Sequence, residues 1–268
     1  MPDVFSDITS APADVLDTIV DTLEKRAADP KLQAMLDAYL SEITLADDAR
    51  ILEVGSGTGA VARRLARLEQ ARQVIGVDPS PVFLAKAVEL GRDIDNLRFE
   101  EGDGRSLPFE DATFDLVVLH TLLCHVPAPE GVLREAHRVL KPGATLAVFD
   151  CDFSTASLST GDFDPFEVIA EVMVDSIVHD RWLVRKLTGH LRSCGFEAGP
   201  LRSYAYSEHP APGYMFTWIE RGTAALMAAG RLGEDGAAAL KAEAERRVSE
   251  GQWYAQVSFA SVISRKPV

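Results

Sequence analysis

The stretch from residue 50 to 150 limits the fold more than any other part of the chain. Five short apolar runs alternate there with helix-forming segments. The runs are "RILEVG" (50–55), "QVIGVD" (73–78), "LRFEEGD" (97–103), "FDLVVLH" (114–120) and "ATLAVFD" (144–150). The fourth is dense in Val and Leu, as strands buried on both faces are. Residues 60–70, 81–91 and 129–143 carry the helical patterns. Ser80 is placed to cap the second of these and Gly91 to end it, while Pro142-Gly143 is expected to stop the third. Strands and helices in this rhythm predict an α/β protein with a doubly wound, Rossmann-like sheet.

Outside that stretch the pattern changes. Val15, Leu16, Ile19, Val20 and Leu23 form one helical stripe, and Leu32, Met35, Leu36, Tyr39, Leu40 and Ile43 a second, with Pro30 between them. Residues 152–180 read as an irregular stretch and then a helix around "PFEVIAEVMVDSI". Residues 180–196 read as a helix ended by Gly195, 201–208 as a strand, and 213–249 as Ala-rich helix interrupted by "GRLGEDG". Residues 252–267 alternate in period two, like a strand. One overall domain is expected, with a helical N-terminal cap (1–45), a ligand-binding core (46–151), and a remainder (152–268) that completes the sheet and adds cap elements.

Composition narrows the partners. The 268 residues carry a formal net charge of -14, which argues against nucleic acid, because phosphate binding needs clustered Lys and Arg. About half of that excess lies in residues 1–50, with 11 acidic and 4 basic residues. No apolar run approaches the length of a membrane span, and the first 15 residues lack the basic and apolar regions of a signal peptide. Cys124, Cys151 and Cys194 are widely spaced and predict reduced thiols in a cytoplasmic protein.

The stretch "ILEVGSGTGAVARRLA" (51–66) places Gly55, Gly57 and Gly59 between the first strand and a helix. In such sheets ligands bind at the carboxyl ends of the strands, and glycines there let a ligand approach the backbone. Asp78 ends the second strand, 19 residues after Gly59, and a carboxylate there suits paired ribose hydroxyls. Gly55-x-Gly57-x-x-Ala60 also satisfies the dinucleotide pattern, so the loop alone is ambiguous. Glu53 points elsewhere. It can meet the ammonium of an amino-acid moiety, whereas a pyrophosphate gains nothing from a carboxylate. Asp103, in "EGDGRSLPF" (101–109), can accept from an exocyclic amine such as adenine's.

The segments "LEVGSGTG", "GVDPS", "GDGRSLPFEDATFDLVV" and "EAHRVLKPGATLAVFD", in this order and spacing, resemble a class I S-adenosylmethionine-dependent methyltransferase of the small-molecule type, similar to the quinone-biosynthesis methyltransferases. The resemblance covers residues 48 to 151, and "FASVISRKP" resembles that family's seventh strand, which runs antiparallel to the rest. It implies S-adenosyl-L-methionine as cofactor. Glu53 and the loop Gly55, Ser56, Gly57, Thr58 and Gly59 would hold the methionine portion. Asp78 would bind the ribose, with Pro79 and Ser80 beside it. Asp103 would bind the adenine amine, with Gly102, Gly104 and Arg105 around the ring, and His120 would stand near the methionine end. Ala144 departs from the second Gly that many relatives carry after Pro-Gly.

A sulfonium methyl is already activated, so the protein must chiefly align a nucleophile and exclude water. His120 and His125 are the candidate general bases. His137 reads as a surface residue, and His179 and His209 as possible pocket residues. No spacing of ligands suggests a metal. Phe5, Tyr39, Phe153, Phe163 and Phe166 are expected to line the cover, and Tyr214 to Trp218 a substrate wall. The acceptor expected is small and apolar or aromatic, methylated at carbon, oxygen or nitrogen by a monomer or homodimer. Two rivals stay open: an NAD(P)-dependent oxidoreductase, although no Tyr and Lys lie four apart after the fourth strand, and a non-catalytic S-adenosylmethionine-binding scaffold.

Overall fold

The computed structural model describes residues 4–268, so the first three residues of the expected N-terminal cap lie outside it. A 3-10 turn, Val4–Ser10, leads into helices α1 (Ala13–Ala28) and α2 (Pro30–Leu40). Pro30 does not merely break the helix. It starts α2, where its missing N–H costs nothing, and Asp29 caps it by accepting from the Lys31 and Leu32 N–H groups.

The core then runs β1 (Ala49–Val54), α3 (Ala60–Leu65), β2 (Ala71–Asp78), α4 (Pro81–Gly91), β3 (Leu97–Glu101), β4 (Phe114–His120), α5 (Pro129–Val139) and β5 (Leu140–Ser157). Beyond it come α6 (Phe166–Ile177), α7 (Leu183–Ser193), β6 (Glu197–Glu208), α8 (Thr217–Ala228), α9 (Glu234–Ser249) and β7 (Ala255–Arg265). The seven strands form one sheet in the order β3-β2-β1-β4-β5-β7-β6. β1 to β5 pair in parallel, while β7 runs antiparallel to both of its neighbours. The expected sheet with an antiparallel last strand is therefore present.

Three boundaries differ from the expected ones. α3 stops at Leu65 rather than near residue 70. α5 stops at Val139, before Pro142-Gly143, because Leu140 is already paired with Phe114 of β4. Residues 141–143 fall in a shift of register, where Phe114 pairs Leu140 and Leu116 pairs Thr145. A bulge tolerates a proline that a regular ladder would not. Finally, β5 continues to Ser157 through "CDFSTAS", which its sequence did not announce, since β7 supplies the partner strand.

The core of the sheet is fully buried. Ile51, Leu52, Val117, Leu119, Leu146 and Val148 expose none of their surface. A satellite cluster of Ile8, Leu16, Ile19 and Phe83 ties the leading turn and α1 to α4. That contact holds α1 across the carboxyl ends of β1 and β2.

Candidate functional site

The loop between β1 and α3 takes its shape from three glycines with positive φ: Gly55 at 72°, Gly57 at 52° and Gly59 at 78°. Gly59 is the least replaceable, because a β-carbon there would lie 2.4 Å from the Phe99 ring edge. The loop is pinned from beneath by β2. Val77 accepts from the Gly55 and Ser56 N–H groups at 2.8 and 3.0 Å. Asp78 accepts from the Gly57 N–H at 2.8 Å with one oxygen and from the Ser80 N–H at 2.9 Å with the other. Burial raises Asp78 against these two bonds. The expected ribose carboxylate thus also closes the glycine loop, and each of its oxygens keeps a lone pair for a ligand.

Glu53 stands at the end of β1 with 2% of its surface exposed. Its Oε2 is buried and has no hydrogen-bond partner. Burial pushes its carboxyl well above the ordinary carboxylate range. The Ala62 N–H opposes that shift, the Asp78 charge adds to it, and Arg63 opposes it. A buried carboxylate oxygen without a donor is costly, and a cationic ligand group is what relieves it. The Ser56 hydroxyl is likewise buried and unpartnered.

These groups face a cavity of about 200 Å³. Glu53, Gly55, Ser56, Gly57, Thr58, Asp78 and Pro79 line its floor, His120 and His125 its far side, and Phe5, Leu23 and Arg26 its roof. Thr121, just after β4, also lines it with φ at 50°, an unusual conformation for a β-branched residue. Gly59, Ser80, Gly102, Asp103, Gly104 and Arg105 do not line it. Ser80 is buried and caps α4 through the Phe83 N–H. Asp103 is exposed and held by Arg105, whose guanidinium donates to its Oδ1 at 3.0 Å and to its Oδ2 at 2.6 Å.

The two histidines differ. His120 is stacked 4.7 Å from Phe149, and the Tyr39 hydroxyl lies 3.0 Å from its Nδ1. Burial, aided by the Arg26 charge, lowers it to about 3. It is neutral at pH 7, a hydrogen-bonding group rather than a strong base. His125 packs 4.5 Å from Phe5 and borders a second cavity as well as the first. Burial raises the carboxyl of Asp150, at the end of the apolar part of β5, and the neighbouring Cys124 and His125 oppose that shift. Asp150 itself is fully buried, accepting from the Cys124 and Cys151 N–H groups at 3.2 and 2.8 Å.

The second cavity, about 50 Å³, shares Phe5, Leu23, Arg26 and His125 with the first. Phe153, Ile177, Tyr214, Trp218 and Arg221 are among its other walls. Phe153 and the Tyr214–Trp218 segment thus reach a cavity, as the sequence suggested. Tyr39 and Phe166 are buried behind it, and Phe163 is almost fully exposed. His179 and His209 are exposed and line neither cavity, while His137 is half-buried rather than on the surface. Sequence reasoning missed Arg26, Arg221 and Asp150. Only Asp150, an acid closing an apolar run, left a visible signal.

Residues 52–148 match a family described as Methyltransferase domain. The sterol 24-C-methyltransferase of Saccharomyces cerevisiae is 30% identical over 167 residues, covering 61% of this chain and 43% of that protein. The demethylmenaquinone methyltransferase of Tropheryma whipplei is 32% identical over 167 residues, covering 55% of this chain and 66% of that protein. This chain thus spans only part of the length of the relatives it matches. A Haemonchus contortus phosphoethanolamine N-methyltransferase, solved with phosphomonomethylethanolamine and S-adenosylhomocysteine, shares the fold with a TM-score of 0.60 at 16% identity, covering 98% of this chain and 61% of that one.

Proposed function

We propose that this chain, whose core is that of the class I S-adenosylmethionine-dependent methyltransferases, transfers a methyl group from S-adenosyl-L-methionine to a small acceptor. The observation that carries this reading is Glu53. A buried carboxylate with an unpartnered Oε2, facing the cavity beside the glycine loop, fits an amino-acid ammonium and repels a pyrophosphate. That disfavours the dinucleotide reading of the same loop.

The bound cofactor supplies an electrophilic methyl on a sulfonium. We assign its methionine end to Glu53 and the 55–59 loop, and its ribose to Asp78, with Pro79 and Ser80 alongside. Asp103, with Gly102, Gly104 and Arg105, is assigned to the adenine at the rim. There Asp103 is already engaged with Arg105, so that assignment requires a shared or exchanged bond. His120, held neutral against Tyr39, orients groups at the methionine end. His125, at the wall common to both cavities and backed by Asp150, is the group placed to take a proton from an acceptor. Phe5, Leu23 and α1 cover the site and exclude water.

The reading extends to a cytoplasmic monomer or homodimer with no nucleic-acid partner. Three buried cysteines, none of them in a disulfide among the described residues, and the acidic net charge support it. Among the described residues, no helix is long and apolar enough to cross a membrane. The division into a cap (1–45), core (46–151) and remainder (152–268) belongs to the same proposal.

Calorimetric titration with S-adenosylhomocysteine, NAD and NADP tests it. Binding of S-adenosylhomocysteine alone is expected, weakened by roughly tenfold to a hundredfold in Glu53→Gln. The same variant is expected to be the more stable ligand-free protein at neutral pH. A carboxyl raised on folding contributes stability below its ordinary value of 4.5 and loses it as pH rises through the folded value. Removing the charge should lift Tm by about 2–4 °C. Binding of a dinucleotide, or full affinity in Glu53→Gln, would overturn the assignment.

A further inference from the structure

Arg26 of α1 and Arg221 of α8 both line the second cavity. A guanidinium stays charged throughout the accessible pH range and seeks a planar partner. In an acidic chain most such groups find one. Arg247 reaches Asp164 at 2.7 Å, and Arg138 reaches both Asp111 and Glu135 at 2.8 Å. Neither Arg26 nor Arg221 has a carboxylate within ion-pair distance among the described residues, and the Arg26 Nε is buried without any acceptor.

The two cations also repel each other. Burial lowers Arg221, and the Arg26 charge lowers it further. The Tyr214 ring, 5.6 Å from the Arg26 guanidinium carbon, offsets only part of this. Apart from Thr22 and His125, the rest of the cavity is apolar or aromatic, with Phe153, Ile177 and Trp218 among its walls. Unpaired, half-buried like charges in an apolar cavity are costly, and an anion placed between them removes both costs.

An outer cleft of about 360 Å³, between α1 and the α8–α9 pair, shares Thr22 and Arg221 with this cavity. Arg221 therefore borders both the outer cleft and the cavity. On the far side, the wall shared with the glycine-loop cavity carries His125.

We propose that the acceptor carries an oxyanion, a carboxylate or a phosphate monoester, bound between Arg26 and Arg221, on an apolar body that extends past Phe153 and Trp218 toward His125. This names the acceptor class and rests on the methyltransferase reading. It also adds a charged end to the small, apolar or aromatic acceptor expected from the sequence.

The test uses the full chain with three probes that share a phenyl body: 3-phenylpropionate, 2-phenylethyl phosphate and the neutral 3-phenylpropanamide. Binding is followed by calorimetry with S-adenosylhomocysteine present. At least one anion is expected to bind tighter than the amide by roughly tenfold or more. Which anion prevails tells carboxylate from phosphate. Arg221→Met is expected to abolish the preference, and Arg221→Lys, which keeps the charge and controls for folding, to retain part of it. Equal binding of amide and anions, no binding of either anion, or a preference that survives Arg221→Met and Arg26→Met would overturn the proposal. Failure of S-adenosylhomocysteine itself to bind would count against the methyltransferase reading, while the anion-to-amide comparison still reports on the arginine pair.

Discussion

The two cavities are neighbours, yet they are made differently. The floor of the first is shaped by backbone. That floor comes from residues 53–58 and 78–79, two strand ends and the turn between a strand and a helix, and glycines and amide groups shape it. The second is made of side chains from distant places: Phe5, Arg26, His125, Phe153, Ile177 and Tyr214. A backbone site is rigid because its loop is bonded to the sheet below. A side-chain site can be changed one residue at a time. One fold can therefore keep the backbone-built site constant and vary the side-chain site beside it.

If that division is real, the walls of the second cavity can be weakened without harming the first. Asp164 accepts from the Thr160 and Phe166 N–H groups and from Arg247, and so clasps the start of α6 to α9. Asp164→Ala leaves the buried Arg247 to Glu243 and strips the Thr160 and Phe166 N–H groups of their acceptor, at a cost of about 3–5 kcal/mol in urea denaturation. Affinity for S-adenosylhomocysteine should nonetheless stay within about twofold. Collapse of both together would show that the two regions are one cooperative unit.

The converse change strikes the backbone site. Gly59→Val forces a branched residue to a φ of 78° and drives its β-carbon into Phe99. A loss of about 2–4 kcal/mol is expected. Here ligand affinity should fall more than tenfold, because the loop itself moves. Retained affinity would mean that the loop is less rigid than its hydrogen bonds imply.

Acid gives the smallest and subtlest contrast. Burial raises Asp164, but the Arg247 guanidinium and the backbone N–H bonds prevail and hold it at about 2. A carboxylate depressed on folding contributes stability above its ordinary value near 3.8 and loses it as pH falls toward about 2. About 1–2 kcal/mol should disappear between pH 4 and 2, and Asp164→Asn should flatten that part of the Tm profile. Asp103, lowered by its exposed partner Arg105, should contribute little, because water and salt screen the pair.

The same contrast explains what could be read from the sequence. β1, β2 and β4 announce themselves as buried apolar runs, and the glycine loop and Asp78 follow from local spacing. The bulge at Lys141-Pro142-Gly143 does not, because it depends on a change of register against β4. Nor does the strand character of "CDFSTAS", which depends on a partner about a hundred residues later. Arg26 and Arg221 look like ordinary charges on amphipathic helices. Their meaning comes only from packing α1 near α8, which no local pattern encodes. Asp103 illustrates the opposite case, a motif residue whose neighbour Arg105 already occupies it.

β7 has a consequence for the order in which the protein can be made. It lies between β5 and β6, yet follows both, along with α8 and α9, in the chain. During synthesis the parallel half of the sheet, β1 to β5, can assemble as soon as β5 leaves the ribosome. Ile177, Tyr214, Trp218 and Arg221 of the second cavity emerge next with no β7 to dock β6 against, and the edge of β5 stays open through α6, α7, β6, α8 and α9. At a typical pace of about 5–20 residues per second, that interval lasts for roughly 5–20 seconds. The nascent chain is then half a sheet with an exposed edge, open to wrong pairing until its final strand slides in and joins the two halves.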